Sequence, residues 1–134
     1  MKQPYLNNIK EQTLQNTDYR RVVFTAKNLQ LVLMNLEPGQ EIGSEVHNDV
    51  DQFFEILSGT GLSIINDTEY QLGNDIALVI PAGSSHNIIN TGTEPLKLYS
   101  IYAPPEHPEG TVEPVKESFK TITSFTQFLN QSVK

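Results

Sequence analysis

Two short stretches of the chain decide its fold: residues 45–59, EVHNDVDQFFEILSG, and residues 81–90, PAGSSHNIIN. Both are typical of β-strands broken by turns, and side chains two apart on a strand project to the same face. Glu45 and His47 are therefore expected on one face, with Gln52 and His86 on neighbouring strands. This pattern of nitrogen and oxygen donors predicts a site for one metal ion.

The composition narrows the class of protein. A chain of 134 residues fits one domain with a real core. It contains no cysteine, which excludes disulfides, thiolate metal ligands and a cysteine nucleophile. The first residues lack the apolar stretch of a secretory signal, and no later run approaches the length needed to span a membrane. We expect a cytoplasmic protein with no membrane partner.

The charge distribution excludes further partners. The net charge is −7 and the nine basic residues are spread thinly, so nucleic-acid binding is not expected. No Lys or Arg occurs between Lys27 and Lys97, although a strongly anionic substrate such as a sugar phosphate normally meets these side chains. Only a metal, backbone amides or Lys97 could bind such a substrate here.

Short apolar runs cut by Gly, Pro, Asn and Asp predict about eight strands, and hence an all-β sandwich or barrel. The runs are 22–24, 29–36, 53–57, 62–65, 76–80, 87–89 and 96–103. We divide the single domain (1–134) into an N-terminal extension (1–20) with one strand or turn, a barrel (21–103), and a loop followed by a helix (104–134). The prolines after residue 103 predict a loop across the barrel or its mouth. Hydroxyl residues before apolar ones predict a short C-terminal helix at 123–130.

The first stretch resembles the first motif of the cupins, which are small β-barrels. In that family a Gly is followed after five residues by His-x-His, then by Glu and by a second Gly. Here Gly39 is followed at the family spacing by Glu45-x-His47, Gln52 and Gly59. Two of the ligand positions therefore differ from the family: Glu45 takes the place of the first His and Gln52 that of the Glu, and each offers an oxygen donor.

The second stretch is similar to the second cupin motif, with matches at Pro81, Gly83, His86 and Asn90. Asp75 occupies the position of the family's leading Gly. The resemblance covers residues 22–103 and implies a cupin (jelly-roll) barrel. We expect Asn90 to fix a turn after its strand. The glycines at 59, 61 and 83 are expected to be turn residues with positive φ.

The resemblance implies four metal ligands, namely Glu45, His47, Gln52 and His86. Two imidazoles, a carboxylate and an amide oxygen suit Fe, Mn, Ni or Zn, and the spacing does not choose among these ions. The alternative is that these residues have only structural roles. Glu45 and a His would then be solvated at the barrel mouth, and Gln52 would hydrogen-bond to a strand end.

Four residues are candidates for catalysis. Glu45 could alternate between ligand and base, and His107 follows the last barrel strand in a loop that could bring it to the mouth. A solvated loop histidine is the alternative. Tyr99 and Tyr102 lie on opposite faces of their strand by parity, so at most one points into the barrel.

The chain also resembles a subgroup of bacterial cupins described as mannose-6-phosphate isomerase-like, in which an Arg commonly follows two Phe residues. Glu55 occupies that position here, after Phe53 and Phe54. Because this Arg is missing, phosphomannose isomerase activity is not carried over to this chain.

Three functions remain open. The first is a metal-dependent isomerase, lyase or epimerase acting on a small oxygenated metabolite such as a sugar or keto acid. The second is an Fe(II) dioxygenase, and the third is a non-catalytic sensor or binding module for a small molecule. We expect a homodimer, because pairing between copies would remove exposed strand edges.

Overall fold

The computed structural model describes residues 2–116, which form one short helix and ten strands. In chain order these are α1 (Ile9–Gln15), β1 (Arg20–Thr25), β2 (Gln30–Leu36), β3 (Glu45–Val46), β4 (Asp51–Ser58), β5 (Gly61–Ile65), β6 (Thr68–Leu72), β7 (Ala77–Ile80), β8 (Ser85–Asn90), β9 (Leu96–Ala103) and β10 (Val112–Glu113). The C-terminal helix predicted at 123–130 lies outside the described residues. The predicted all-β class is confirmed.

The strands form two antiparallel sheets. The larger has the order β10-β1-β2-β9-β4-β7, and the smaller has the order β3-β8-β5-β6. Both sheets contribute apolar side chains to one buried core, in which Met34, Leu98 and Ile88 are fully buried. Each such side chain contributes about 1.5–3 kcal/mol relative to an exposed one. The core therefore holds the two sheets together and fixes which residues face the interior.

Strand β2 is buried on both faces. Val32 and Met34 point into the core, while Leu33 points outward and is nevertheless 2% exposed. The outward side chains are covered because α1 packs over β2, β4 and β9. This double burial explains why the run 29–36 is continuously apolar instead of alternating.

The N-terminal extension contains a helix where the sequence had predicted a strand or a turn, so that prediction is wrong for residues 9–15. The Oδ1 atom of Asn8 accepts a hydrogen bond from the amide of Glu11 at 2.9 Å and caps the helix. Glu11 lies in the first turn, where a carboxylate is favourable. The cap and the packed position of Thr13, which is fully buried, stabilise an element too short to form alone.

Three strands were not predicted as apolar runs. Strand β6 is an edge strand in which four of five residues are exposed, so it lacks an apolar pattern. It is joined to β5 by Asn66 and Asp67, which both have positive φ as a tight hairpin turn requires. Strands β3 and β10 have two residues each. Strand β10 pairs with β1 inside the segment after residue 103, where a loop was predicted, so that prediction is wrong for these two residues.

The turn predictions have mixed outcomes. Gly59 and Gly83 have φ of +99° and +88°, as predicted. The prediction for Gly61 is wrong: its φ is not positive, and it lacks a side chain because a Cβ would lie 2.8 Å from the carbonyl oxygen of Ile89. Asp75, at the position of the family's leading Gly, has a left-handed conformation with φ of +67°.

Asn90 fixes the turn between β8 and β9, as predicted. Its Nδ2 atom donates to the carbonyl oxygens of Leu36 at 2.8 Å and Glu94 at 2.9 Å. Its Oδ1 atom accepts from the amide of Gly92 at 2.9 Å. All the hydrogen bonds of this side chain therefore serve the backbone.

Candidate metal centre

Strands β3 and β8 bring the first two donors together. Glu45 and His86 are direct partners in the antiparallel register, so their side chains lie side by side on one face. His47 is two residues beyond Glu45 and projects from the same face. The pairing of β3 with β8 thus converts two distant sequence motifs into one cluster.

The donor atoms of these three residues, which we call the donor cluster, are close enough to share an ion. The Oε2 atom of Glu45 lies 3.0 Å from Nε2 of His47 and 3.9 Å from Nε2 of His86. One ligand atom from each of the three residues lies within 4.8 Å of the others. The ring centroids of the two histidines are 5.4 Å apart. Two imidazoles and a carboxylate are ligands that Fe, Mn, Ni and Zn accept.

The hydrogen bonding of His86 leaves one ring nitrogen as an acceptor. Nδ1 lies 3.1 Å from the carbonyl oxygen of Ser84, which can only accept, so Nδ1 carries the proton. Nε2 is buried and has no hydrogen-bond partner within residues 2–116. A buried acceptor without a partner is costly, and a cation would satisfy it. The residue therefore fits the role of a metal ligand.

His47 is held between two carboxylates. Its Nε2 faces Glu45, and its Nδ1 lies 3.5 Å from Oε1 of Glu106 in the loop after β9. A carboxylate on the second ring nitrogen is the usual way in which a ligating histidine is oriented. Glu106 was not predicted from the sequence, because only the folded loop brings it within reach of His47.

Gln52 lies on the inner face of β4 and is 3% exposed. Its Nε2 donates to Oγ of Ser100 at 3.2 Å, while Oε1 is buried without a partner in the described part of the chain. It is the direct register partner of Tyr102, whose ring lies 6.2 Å from that of His47. The amide oxygen is thus an acceptor on the inner face of β4 with no partner in the described residues, and its role as a ligand stays a prediction.

Of the two tyrosines on β9, Tyr102 points inward and Tyr99 points outward. Tyr102 is 2% exposed, and burial raises the pKa of its phenol, which therefore stays protonated. Tyr99 donates a hydrogen bond to Glu55 and packs against Phe53, on the outer face of the sheet. Burial, with the hydrogen bond to Glu55, raises the pKa of Tyr99 to about 12. This placement removes Tyr99 from the candidate proton-transfer groups.

The same parity accounts for Glu55, which occupies the position of the subgroup's Arg. It is the register partner of Tyr99 and faces outward with it. A side chain at this position does not point at the donor cluster.

His107 packs against Tyr102, with the ring centroids 4.9 Å apart in an edge-on arrangement. Gln30, which is fully buried, fixes the loop: its Oε1 accepts from the amide of His107 at 3.0 Å, and its Nε2 donates to the carbonyl oxygen at 2.8 Å. Burial, reinforced by the nearby positive charge of Arg20, lowers the pKa of His107 to about 4. The imidazole is therefore neutral near pH 7.

Sequence analysis missed Arg20, which the structure places inside the barrel. Its side chain is 11% exposed, with Nη1 2.9 Å from Oε1 of Glu113 and the guanidinium 5.1 Å from the ring centre of Tyr19. Its parity with the buried Val22 was the signal that could have identified it. Lys97, the cation that the sequence had offered, instead donates to the carbonyl oxygen of Asn16 at the end of α1.

Comparison with known proteins agrees with this fold. The family model described as "Cupin domain" matches residues 32–102, and the chain belongs to this family. It is 46% identical over 119 residues to YrkC of Bacillus subtilis strain 168, covering 84% of this chain and 64% of that protein. The chain thus spans less than two thirds of this relative.

Two further similarities bear on the subgroup. The crystal structure of BH2720 from Bacillus halodurans has a TM-score of 0.82 and 42% identity, covering 84% of this chain and 89% of that one. Mannose-1-phosphate guanylyltransferase of Escherichia coli is 25% identical over 99 residues, covering 65% of this chain and 21% of that enzyme. The predicted membership of the cupin family is therefore confirmed, and the similarity to mannose-1-phosphate guanylyltransferase is weak and limited to a small part of that enzyme.

Membrane insertion through a helix finds no support between residues 2 and 116. No helix in this part of the chain has both the length and the apolar character needed to cross a bilayer.

Proposed function

We propose that this cupin binds one divalent metal ion through Glu45, His47, His86 and Gln52 and acts on a small oxygenated metabolite as an isomerase, lyase or epimerase. The observation that carries the proposal is the convergence of three ligand atoms within 4.8 Å of one another. With one carboxylate among neutral ligands, a bound divalent ion keeps about one positive charge and polarises a keto or carboxylate oxygen.

The unpaired acceptors support this choice of ligands. His86 Nε2 and Gln52 Oε1 are both buried without a partner in the described residues. His86 Nε2 is an acceptor because the ring proton is on Nδ1, and Gln52 Oε1 is an acceptor because it is an amide oxygen. A cation is the partner that would satisfy them together with the Glu45 carboxylate.

Two further side chains can move protons beside the donor cluster. The phenol of Tyr102 stays protonated and can donate a hydrogen bond to a substrate oxygen. The imidazole of His107 is neutral near pH 7, so one of its ring nitrogens can accept a proton while the other donates a hydrogen bond. A pair of this kind is what an isomerase, lyase or epimerase needs, and it favours these reactions over simple storage.

The second candidate is an Fe(II) dioxygenase, because two histidines and one carboxylate are also the ligand set of non-haem iron oxygenases. Oxygen consumption that depends on iron separates this candidate from the first. Binding of a metabolite without turnover would identify the third candidate, a non-catalytic binding module.

The proposal is tested with protein purified without a His-tag and loaded separately with Fe, Mn, Ni or Zn. A panel of sugars, uronates and keto acids is followed by proton NMR for isomerised or cleaved products. We expect turnover that is lost on chelation and strongly reduced in His107→Phe, while Tyr99→Phe, on the outer face, keeps it. Turnover that survives chelation contradicts the proposal.

We also propose that the protein is a cytoplasmic homodimer. Strand β7 is an edge of the larger sheet and exposes Val79 to 64%, and an exposed apolar edge strand favours pairing with another chain. Sedimentation at micromolar concentration should give twice the mass of the 15.0 kDa chain. A mass of one chain across the micromolar range would refute the dimer.

A further inference from the structure

The buried side-chain atoms without partners in the described residues divide into two chemical types. Gln52 Oε1 and His86 Nε2 are acceptors and belong to the metal centre proposed above. The other two, Arg20 Nε and His107 Nε2, are not explained by a cation. Arg20 Nε is always a donor, and a neutral imidazole can present a donor at Nε2. This second pair therefore calls for an acceptor.

We infer that Arg20 and His107 form a subsite for the carboxylate group of a small organic acid, beside the proposed metal centre. The inference rests on the proposed function and names its substrate class. The ligand's carboxylate would meet these two donors, and its remaining oxygens would face the donor cluster.

The position of Arg20 supports an internal subsite. The guanidinium is tied at one end, because Nη1 donates to Glu113 at 2.9 Å, while Nε is buried and free of protein partners in the part that the structure describes. Its positive charge opposes the rise in the pKa of Tyr102 and contributes to the low pKa of His107. The charge therefore acts on the same groups that surround the donor cluster.

The position of His107 completes the subsite. Tyr102 contacts His107 on one side, with the rings 4.9 Å apart, and lies near His47 on the other, at 6.2 Å. His107 and the metal centre thus border the same ring and lie about one ring width apart. A ligand of a few carbon atoms would span this distance.

The charge of the subsite favours a carboxylate over a phosphate. Arg20 is already partly neutralised by Glu113, and no Lys or Arg occurs between Lys27 and Lys97. One partly neutralised guanidinium suits a single negative charge, whereas phosphate dianions usually meet several cations or a helix N-terminus. The subsite is therefore assigned to a monocarboxylate such as a 2-oxo or 2-hydroxy acid.

The test is calorimetric titration with pyruvate and lactate, and with the neutral analogue hydroxyacetone. It is run on metal-free and on Zn²⁺-loaded protein. We expect the wild type to bind the acids and to bind hydroxyacetone at least tenfold more weakly. Arg20→Gln should lower the affinity for pyruvate at least tenfold, while Arg21→Gln, at the exposed neighbouring position, should leave it unchanged.

Two further variants keep the test decisive if Arg20→Gln does not fold. His107→Phe should weaken pyruvate binding severalfold, and Glu113→Gln, which frees the guanidinium, should strengthen it severalfold. Pyruvate binding that is absent in the wild type, or unchanged in these variants, overturns the subsite. Zinc content that is normal in Arg20→Gln separates this failure from failure of the proposed metal centre, which would appear as missing zinc in the wild type.

Discussion

The Nε2 atom of His86 and the Oε2 atom of Glu45 face each other at 3.9 Å, and both are acceptors. His86 Nδ1 donates to the backbone of Ser84, so the ring cannot turn its proton toward the carboxylate without losing that bond. Two acceptors at this distance make no hydrogen bond to each other, and a cation between them would satisfy both.

Glu106 should control the affinity of the metal centre without binding the ion. Replacing it by Gln leaves Nδ1 of His47 without its carboxylate partner, which lies at 3.5 Å. Loss of such an orienting carboxylate lowers metal affinity by about 10–100-fold. Chelator competition for Zn²⁺ measures the change. Glu109→Gln, at an exposed position in the same segment, is the control and should bind as the wild type does; equal affinities in both variants would show that Glu106 does not orient His47.

His107 should make the protein less stable in acid. Its pKa is 6.5 when unfolded and about 4 when folded, so the unfolded chain binds more protons between these values. The free energy of unfolding therefore falls as the pH drops from 6.5 toward 4. Urea denaturation of the metal-free protein at pH 7.5 and pH 5 measures the loss. His107→Gln should lose less stability than the wild type over this range, and an identical loss in both would mean that His107 is not buried as a neutral group.

Gly61 should be intolerant of a side chain for steric reasons. An added Cβ would lie 2.8 Å from the carbonyl oxygen of Ile89 and 3.0 Å from Cδ2 of Leu96. Gly61→Ala should therefore lower the free energy of unfolding by about 1–3 kcal/mol. Gly73→Ala is the matched control, because nothing lies within 4 Å of its Cβ position and its φ is not positive. Thermal unfolding of both variants decides the matter, and equal melting temperatures would contradict the close contact.

The sequence was sufficient for the barrel strands because their apolar runs are bounded by strong turn residues. It was insufficient for β6, whose side chains are mostly exposed. It was also insufficient for α1, which is short and depends on packing against the sheet. The Asn8 cap and Glu11 were visible in the sequence, but a cap alone does not establish a helix of seven residues.

The candidate site, like the fold, could be predicted from the sequence only in part. The spacing within the two motifs identified Glu45, His47 and His86 as candidates, because each motif places its donors on or beside a predicted strand. Parity separated Tyr99 from Tyr102, yet only the pairing of β9 with β2 and β4 decides which one faces inward. Long-range pairing and loop packing place side chains that local patterns cannot.

Arg20 and Glu106 illustrate this limit. Arg20 enters the barrel through the pairing of β1 with β2 and with β10, and β10 lies about ninety residues from β1 in the sequence. Glu106 reaches His47 because Gln30 holds its loop, with Oε1 accepting from the amide of Glu106 at 3.2 Å. The parity of Arg20 with Val22 indicates an inward side chain, but its contact with Glu113 and the contact of Glu106 with His47 have no signature in a single stretch of sequence.

The most direct test of the metal centre is the metal content of the protein, measured by elemental mass spectrometry after purification without a His-tag. We predict about one divalent ion per wild-type chain, as a single cluster of ligands implies. Glu45→Ala and His86→Ala should lose the ion, while Glu69→Ala, at an exposed position on β6, should keep it. Full metal content in both ligand variants would contradict the metal centre.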